Sequence, residues 1–347
     1  MTPDARSRPD RNGGLSSTSA PTLQDVAKLA GVSRATVSRV VNGGALVSPE
    51  TAEAVEAAVR KLGYQPNLAA RMLVTRRADV VGVLVPETDL RVFTDPYFAA
   101  TYHGVVAAFG DHPAQVVLAM CKPGESADRL VTYLTSGRLD GAVITSHHGT
   151  DLPLAVAPLT HPVVFIGNPG VPGVPYTDVD NILGAQLATQ HLLDIGRRRL
   201  ATVTGSLDMI AGQDRRAGFV RTCRAAGITP VAIIPGSFTE SSGREAARSV
   251  LSARSDIDGL FVASDLMAAG VMDELLQAGV KVPQEIAVVG YDDSEVARRV
   301  TPSLTTVRGL AHETAQEAGR MLRGLLSGVV SPRPVILEPE LILRDSA

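Results

Sequence analysis

The stretch "TLQDVAKLAGVSRATVSRVVNGG", residues 22–44, alternates capping residues with apolar ones at helical spacing. Thr22, with Asp25 three positions on, suits a capping box, and Pro21 lies just outside it. Leu23, Val26, Ala27 and Ala30 then form one apolar face. Gly31 ends that helix, because glycine takes the left-handed conformation at little cost. Ser33 caps a second helix, whose Val37, Val40 and Val41 face inward while Arg34, Ala35, Ser38 and Arg39 face out. "NGG" at 42–44 breaks the chain. Beyond it, Ser48 caps a third helix with Pro49 at its first position and Glu50 and Glu53 near its positive end. Val55, Val59 and Leu62 make its buried stripe, and Gly63 stops it.

Two helices joined by a tight glycine turn and braced by a third describe a helix-turn-helix unit. Its second helix fits the major groove, where arginine donates two bonds to a guanine edge and small side chains meet thymine methyls. Periodicity alone fits a plain three-helix bundle with solvent-facing arginines equally well. Charge points towards the first reading without deciding between them. Residues 1–77 hold 11 Lys/Arg against 6 Asp/Glu, whereas the remaining 270 hold 22 against 30. A basic head on an acidic body suggests that only the head meets a polyanion.

The run from Thr22 to Asn42 closely resembles the N-terminal signature of the LacI/GalR family of bacterial transcription repressors. By position, the resemblance makes Arg34, Ala35 and Arg39 the base-reading residues. It makes Thr22, Ser33, Thr36, Ser38 and Asn42 backbone contacts or caps, with Val26, Ala27, Val37 and Val40 as core. The next stretch, "YQPNLAARMLVTRR" (64–77), is too apolar for a solvated linker and too short for a stable lone helix. It resembles the family's hinge helix, which is ordered on operator DNA. Pro66 separates it from the headpiece and Asn67 caps it. Ala69 and Ala70 are small enough for two hinge helices to pack, and Leu73 matches the leucine wedged into the central minor-groove step.

From Asp79 onward, continuous apolar runs read as buried strands: "DVVGVLVP" (79–86), "QVVLAM" (115–120), "DGAVIT" (140–145), "PVVFIG" (162–167), "RLATVTG" (199–205), "DGLFVAS" (258–264) and "EIAVVGYD" (285–292). Helical segments follow most of them, so parallel sheets covered on both faces are expected, in two lobes with crevices beyond the strand C-termini. "DMIAGQDRRAGF", "GAQLATQHLLDIG" and "SDLMAAGVMDELLQAGVKVPQEIAVVGYDDSEVARRVTPSLTTVR" resemble the periplasmic-binding-protein type of effector domain of the same family. That likeness implies that the chain crosses between the lobes more than once and that a small polar ligand, sugar-like, binds between them. It points to Arg215, Asp265, Tyr97 and Phe98 as ligand contacts, and to Asp292 of "GYDD" as a contact or brace. Ser264 stands where the family usually has Asn.

The expected organisation is therefore a disordered tail (1–21), an all-α helix-turn-helix headpiece (22–65), a hinge helix and linker (66–77), and an α/β periplasmic-binding-protein-like domain of two doubly wound lobes (78–347). The expected function is a transcriptional regulator, most simply a repressor. It binds double-stranded palindromic operator DNA as a homodimer under allosteric control by a small-molecule effector. The chain stops just past its last strand, at "LILRDSA", which favours dimers over tetramers.

Other classes fit poorly. No apolar run approaches a membrane span. The N-terminal 21 residues lack the apolar segment of a signal peptide, and a cytoplasmic location follows. Trp is absent, which disfavours stacking platforms for single strands. Cys121 and Cys223 match no redox or metal spacing. "SHHG" (146–149) cannot easily close a tetrahedral metal site, and "GNPGVPG" (167–173) lacks phosphate-loop spacing. "RRR" (197–199) reads as a helix C-cap. No catalytic constellation is visible, so neither an enzyme nor a cofactor is expected.

Overall fold

A computed structural model describes residues 21–41, 47–65, 77–120, 127–252, 256–329 and 333–347. The chain divides into two compact units, Met1–Arg76 and Arg77–Ala347.

In the first unit, α1 (Leu23–Ala30), α2 (Arg34–Val41) and α3 (Pro49–Leu62) form in the places their caps dictate. Thr22 accepts the Asp25 N–H, and the Asp25 carboxylate accepts the Thr22 N–H at 2.9 Å and its hydroxyl at 2.7 Å. Gly31 closes α1 at φ 68°, donating its N–H to the Ala27 carbonyl. The Ser33 hydroxyl accepts the Thr36 N–H at 3.1 Å and starts α2. Val26, Val37 and Val55 are wholly buried, one from each helix, and Ala27, Ala58 and Tyr64 complete the core. Tyr64 follows the stop at Gly63 yet folds back onto α3, its N–H donating to the Val59 carbonyl. Each helix is too short to persist alone, so this shared core holds the unit together.

In the second unit the strands are β1 (Val80–Val85), β2 (Gln115–Met120), β3 (Gly141–Thr145), β4 (Val163–Ile166), β5 (Tyr176–Val179), β6 (Leu200–Val203), β7 (Ala232–Ile234), β8 (Gly259–Val262), β9 (Ala287–Asp292), β10 (Thr305–Arg308), β11 (Val335–Leu337) and β12 (Glu340–Ile342). They form two sheets, ordered β11-β5-β4-β3-β1-β2 and β12-β10-β9-β8-β6-β7. All pairs are parallel except β12, which runs antiparallel to β10. Strands β3, β4, β6 and β8 are buried along their whole length. Their continuous apolar sequences follow from helices on both faces.

The chain crosses between the lobes three times: after β5, after β10 and after β11. The second crossing leads into the helix Ala311–Leu326, which packs on the helix Pro96–Ala108 of the first lobe. In each sheet the strand order reverses beside its first strand, β1 or β6. Such switch points open a crevice at the strand C-termini, and here the two crevices face one another. In the "RRR" turn, Arg198 donates to the Leu193 carbonyl at 2.7 Å, at the C-terminal end of the helix Asn181–Asp194. Cys223 is buried, which pushes its thiol up to about 11, and Cys121 lies outside the described residues. Among the described residues no helix is long and apolar enough to cross a membrane.

Candidate functional site

Two surfaces carry chemistry. The first is the outer face of α2, where Arg34, Ala35 and Arg39 are exposed. Ser33 and Thr22, at the helix starts, are exposed too, while Thr36 and Ser38 are half-buried. The Ser33 and Thr36 hydroxyls lie 2.9 Å apart, so both are tied to the helix N-terminus. Asn42, Asn67, Ala70 and Leu73 lie outside the described residues.

The second is a cleft of about 870 Å³ between the lobes, part of it open to solvent. Arg215, on the helix Ile210–Ala225, is its centre and is almost wholly buried. Its Nε donates to Asn181 Oδ1 at 2.8 Å and its Nη1 to the Ala263 carbonyl at 2.6 Å, with Asp292 Oδ1 at 3.5 Å. The Tyr291 ring lies under the guanidinium, 3.5 Å from ring centre to Cζ, a cation–π contact in a desolvated setting. These bonds leave Nη2 without a protein partner among the described residues.

Acidic groups flank the arginine. Asp178, at the end of β5, accepts the Asn168 N–H at 2.9 Å, the Val179 N–H at 2.8 Å and the Asn181 amide at 3.1 Å. Burial pushes its carboxyl up to about 6, against the pull of those backbone bonds and of Arg215. Asp292 sits at φ 120°, a region that side chains rarely enter. Burial pushes its carboxyl up as well, opposed by Arg215 and by a bond from the Asp265 backbone N–H.

An apolar wall completes the cleft. Phe238 is held at φ 60°, with its ring centre 5.7 Å from the Arg215 guanidinium and 5.9 Å from that of Arg91 on the opposite lobe. Gly205 makes room for this ring: a Cβ there would stand 1.9 Å from Phe238 Cζ. Tyr97 lines the first-lobe side, its hydroxyl paired with Thr145 at 2.8 Å. His147 also lines the cleft, edge-on to Phe165, and burial pushes it down to about 4, so it is neutral near pH 7.

Of the five ligand contacts expected from the sequence, the fold brings Arg215, Tyr97 and Asp292 to the cleft. Phe98 and Asp265 are elsewhere. Phe98 is one helical step on from Tyr97, so it points about 100° away, into the first-lobe core at 4% exposure. Asp265 is wholly buried, accepting the Thr306 hydroxyl at 2.5 Å and the Ser294 N–H at 2.8 Å. Burial against those bonds pushes its carboxyl up to about 7. It ties the ends of β9 and β10 together, while its neighbour Ser264 reaches the cleft. Sequence reasoning missed Asp178, Asn181, Phe238 and Arg91. Only "TDVDN" (177–181), polar residues just past a short apolar run, carried a visible signal.

A helix-turn-helix unit and a two-lobed unit with a polar, aromatic-walled cleft together define a DNA-binding transcriptional regulator controlled by a small ligand. Residues 22–67 match the model of the bacterial regulatory proteins of the lacI family, and residues 189–347 match a periplasmic binding protein-like domain. The HTH-type transcriptional regulator CelR of Thermobifida fusca is 42% identical over 94% of this chain and 98% of its own. The ribose operon repressor of Escherichia coli (strain K12) is 33% identical over 94% and 99%. Among solved structures, a CelR–cellobiose complex superimposes with a TM-score of 0.74 at 40% identity, covering 94% of this chain and 100% of that one. The lac repressor dimer bound to operator and the anti-inducer ONPF gives 0.86 at 27% identity, over 94% and 99%. The chain belongs to the LacI family of bacterial regulatory proteins.

Proposed function

We propose that this regulator is a cytoplasmic homodimeric repressor that reads a palindromic operator and answers to a small neutral sugar of about disaccharide size. The observation that carries the ligand class is the connected row Asp178–Asn181–Arg215–Asp292 set beside Phe238 and Tyr97. Fixed acceptors and a fixed guanidinium suit ring hydroxyls, and an aromatic face suits the apolar side of a pyranose. The two cleft arginines are balanced by the neighbouring carboxylates, so no net charge is demanded of the ligand. Cellobiose, the ligand of the CelR complex, is the first sugar to try.

On the DNA side, Arg34, Ala35 and Arg39 read bases. Thr22, Ser33, Thr36, Ser38 and Asn42 hold the backbone. Asn67 caps the hinge helix, Ala70 packs it against its partner, and Leu73 wedges the minor groove. One recognition helix reads few base pairs, so two-fold symmetry multiplies both affinity and specificity.

The test is a gel shift of the full chain on a library of palindromic duplexes, repeated with cellobiose. A sequence-selective shift that the sugar changes is expected, and the absence of any selective shift removes the DNA assignment. Arg34→Ala is expected to cost about 1–3 kcal/mol on the selected operator and to relax preference at one or two bases. An equal loss on every duplex would instead make Arg34 a phosphate contact.

A further inference from the structure

One histidine lies between carboxylates of opposite lobes. His148, just past β3, has Nε2 3.0 Å from Glu87 Oε1 of its own lobe and Nδ1 2.8 Å from Asp208 Oδ2 of the other. Beside it the Gly149 N–H donates to the Asp208 carbonyl at 2.8 Å, a backbone bond across the cleft mouth. Glu87 is buried and fixed on its side, accepting the Ser146 hydroxyl at 2.7 Å and pairing with Arg91 at 2.5 Å. Neither His148 nor Asp208 lines the ligand cleft.

A carboxylate only accepts, and a neutral imidazole has a single N–H to give. Between two carboxylates, only the imidazolium satisfies both. We propose that Glu87, His148 and Asp208 form a proton-operated latch that holds the two lobes closed.

The charged groups around the ring agree with this. Two carboxylates face it directly, Arg91 is paired to Glu87, and neighbouring His147 is kept neutral by burial. The bond to Glu87 raises the His148 pKa most, burial opposes it, and Asp208 raises it further. Glu87 itself is pushed up by burial, but the bonds from His148 and Ser146 and the charge of Arg91 outweigh this, so it stays ionised. Opening the lobes removes Asp208 but leaves Glu87 in place, so the His148 pKa falls only part of the way back. Closure is therefore fully favoured below the open-state value and is lost as pH rises through the higher closed-state one. Asp208 is more than half exposed, so the latch shifts the equilibrium by a few-fold and does not lock it.

The test is hydrogen exchange by mass spectrometry on the ligand-free full chain, followed at Gly149 from about pH 6 to 8.5 and corrected for intrinsic exchange. Protection of Gly149 is expected to fall about two- to fivefold across that range. In His148→Gln, and in the surface variant Asp208→Asn, it is expected to be low and independent of pH. Unchanging protection in the unmodified chain, or variants that track it, would overturn the latch. The functional consequence rests on the sugar reading above: cellobiose affinity should fall by the same factor with rising pH, and only in the unmodified chain. Failure to bind cellobiose at any pH would overturn that reading, while the exchange result decides the latch by itself.

Discussion

Replacing Arg215 by alanine is expected to weaken sugar binding by at least about 100-fold while leaving sequence-selective DNA binding in place. The guanidinium holds Asn181, the Ala263 carbonyl and Asp292 and covers the Tyr291 ring, so its removal strips the cleft of its donor. Removing one partner of a buried charge pair costs about 3–5 kcal/mol, because the other is left uncompensated. Calorimetric titration with cellobiose reads the first effect, and a gel shift that the sugar no longer changes reads its consequence. Sugar-responsive operator binding in Arg215→Ala would show that the ligand is held elsewhere. Lysine is a poor substitute, since a point charge cannot reproduce the guanidinium fork.

The same variant carries a pH signature. Asp178 and Asp292 are already pushed up by burial, and Arg215 opposes the shift in both. Without the arginine both rise further. A carboxyl raised in the folded state supports stability below its ordinary value and loses it as pH rises through the raised value. The melting-temperature deficit of Arg215→Ala should therefore widen as pH rises past about 6, the value to which burial pushes Asp178 with the arginine in place, and up through the higher values reached without it. A deficit constant across that range would mean that the carboxylates do not feel the arginine.

Gly104→Val is expected to have the largest effect on stability. At Gly104 the helix Pro96–Ala108 meets the helix Ala311–Leu326 so closely that a Cβ would stand 2.2 Å from the His312 carbonyl and 2.8 Å from Ala315 Cβ. The obstacle is backbone, so no rotamer change relieves it and the helices must part. Overpacking typically costs about 1–3 kcal/mol, and this contact belongs at or above the top of that range. The second helix also contributes Ala311 and Thr314 to the cleft, and the Thr314 carbonyl accepts the Thr177 hydroxyl at 2.9 Å. A fall in the urea midpoint with weaker sugar binding is the expected pair of results. An unchanged midpoint would mean that the lobe can absorb a wider helix spacing.

Much of this fold is legible residue by residue. The Thr22–Asp25 box, the stop at Gly31 and the Ser48–Pro49 start each depend on atoms within about four positions, and each appears where the sequence places it. The long apolar strands are legible because burial on both faces leaves an unbroken run. Strands β7, β11 and β12 are not, being three residues each and defined by what they pair with. Within the cleft, Arg215 stands in a recognisable "RRAGF" context, but Asp265 and Asp292 look alike as acids at strand ends. Donors from Thr306 and Ser294 turn Asp265 inward, and those residues are 41 and 29 positions away.

Caps and periodicity act over one or two turns, so the helix-turn-helix unit and the alternation of strands and helices are written locally, and the run from Thr22 to Asn42 carries the resemblance to the family. Which side chains share the cleft was decided by the tertiary structure alone. Asp178, Arg215 and Phe238 meet only because two sheets reverse their strand order at facing edges. His148 and Asp208, 60 positions apart, come within a hydrogen bond because the two lobes meet there. Contacts of that separation depend on the packing of whole lobes, which no local pattern encodes.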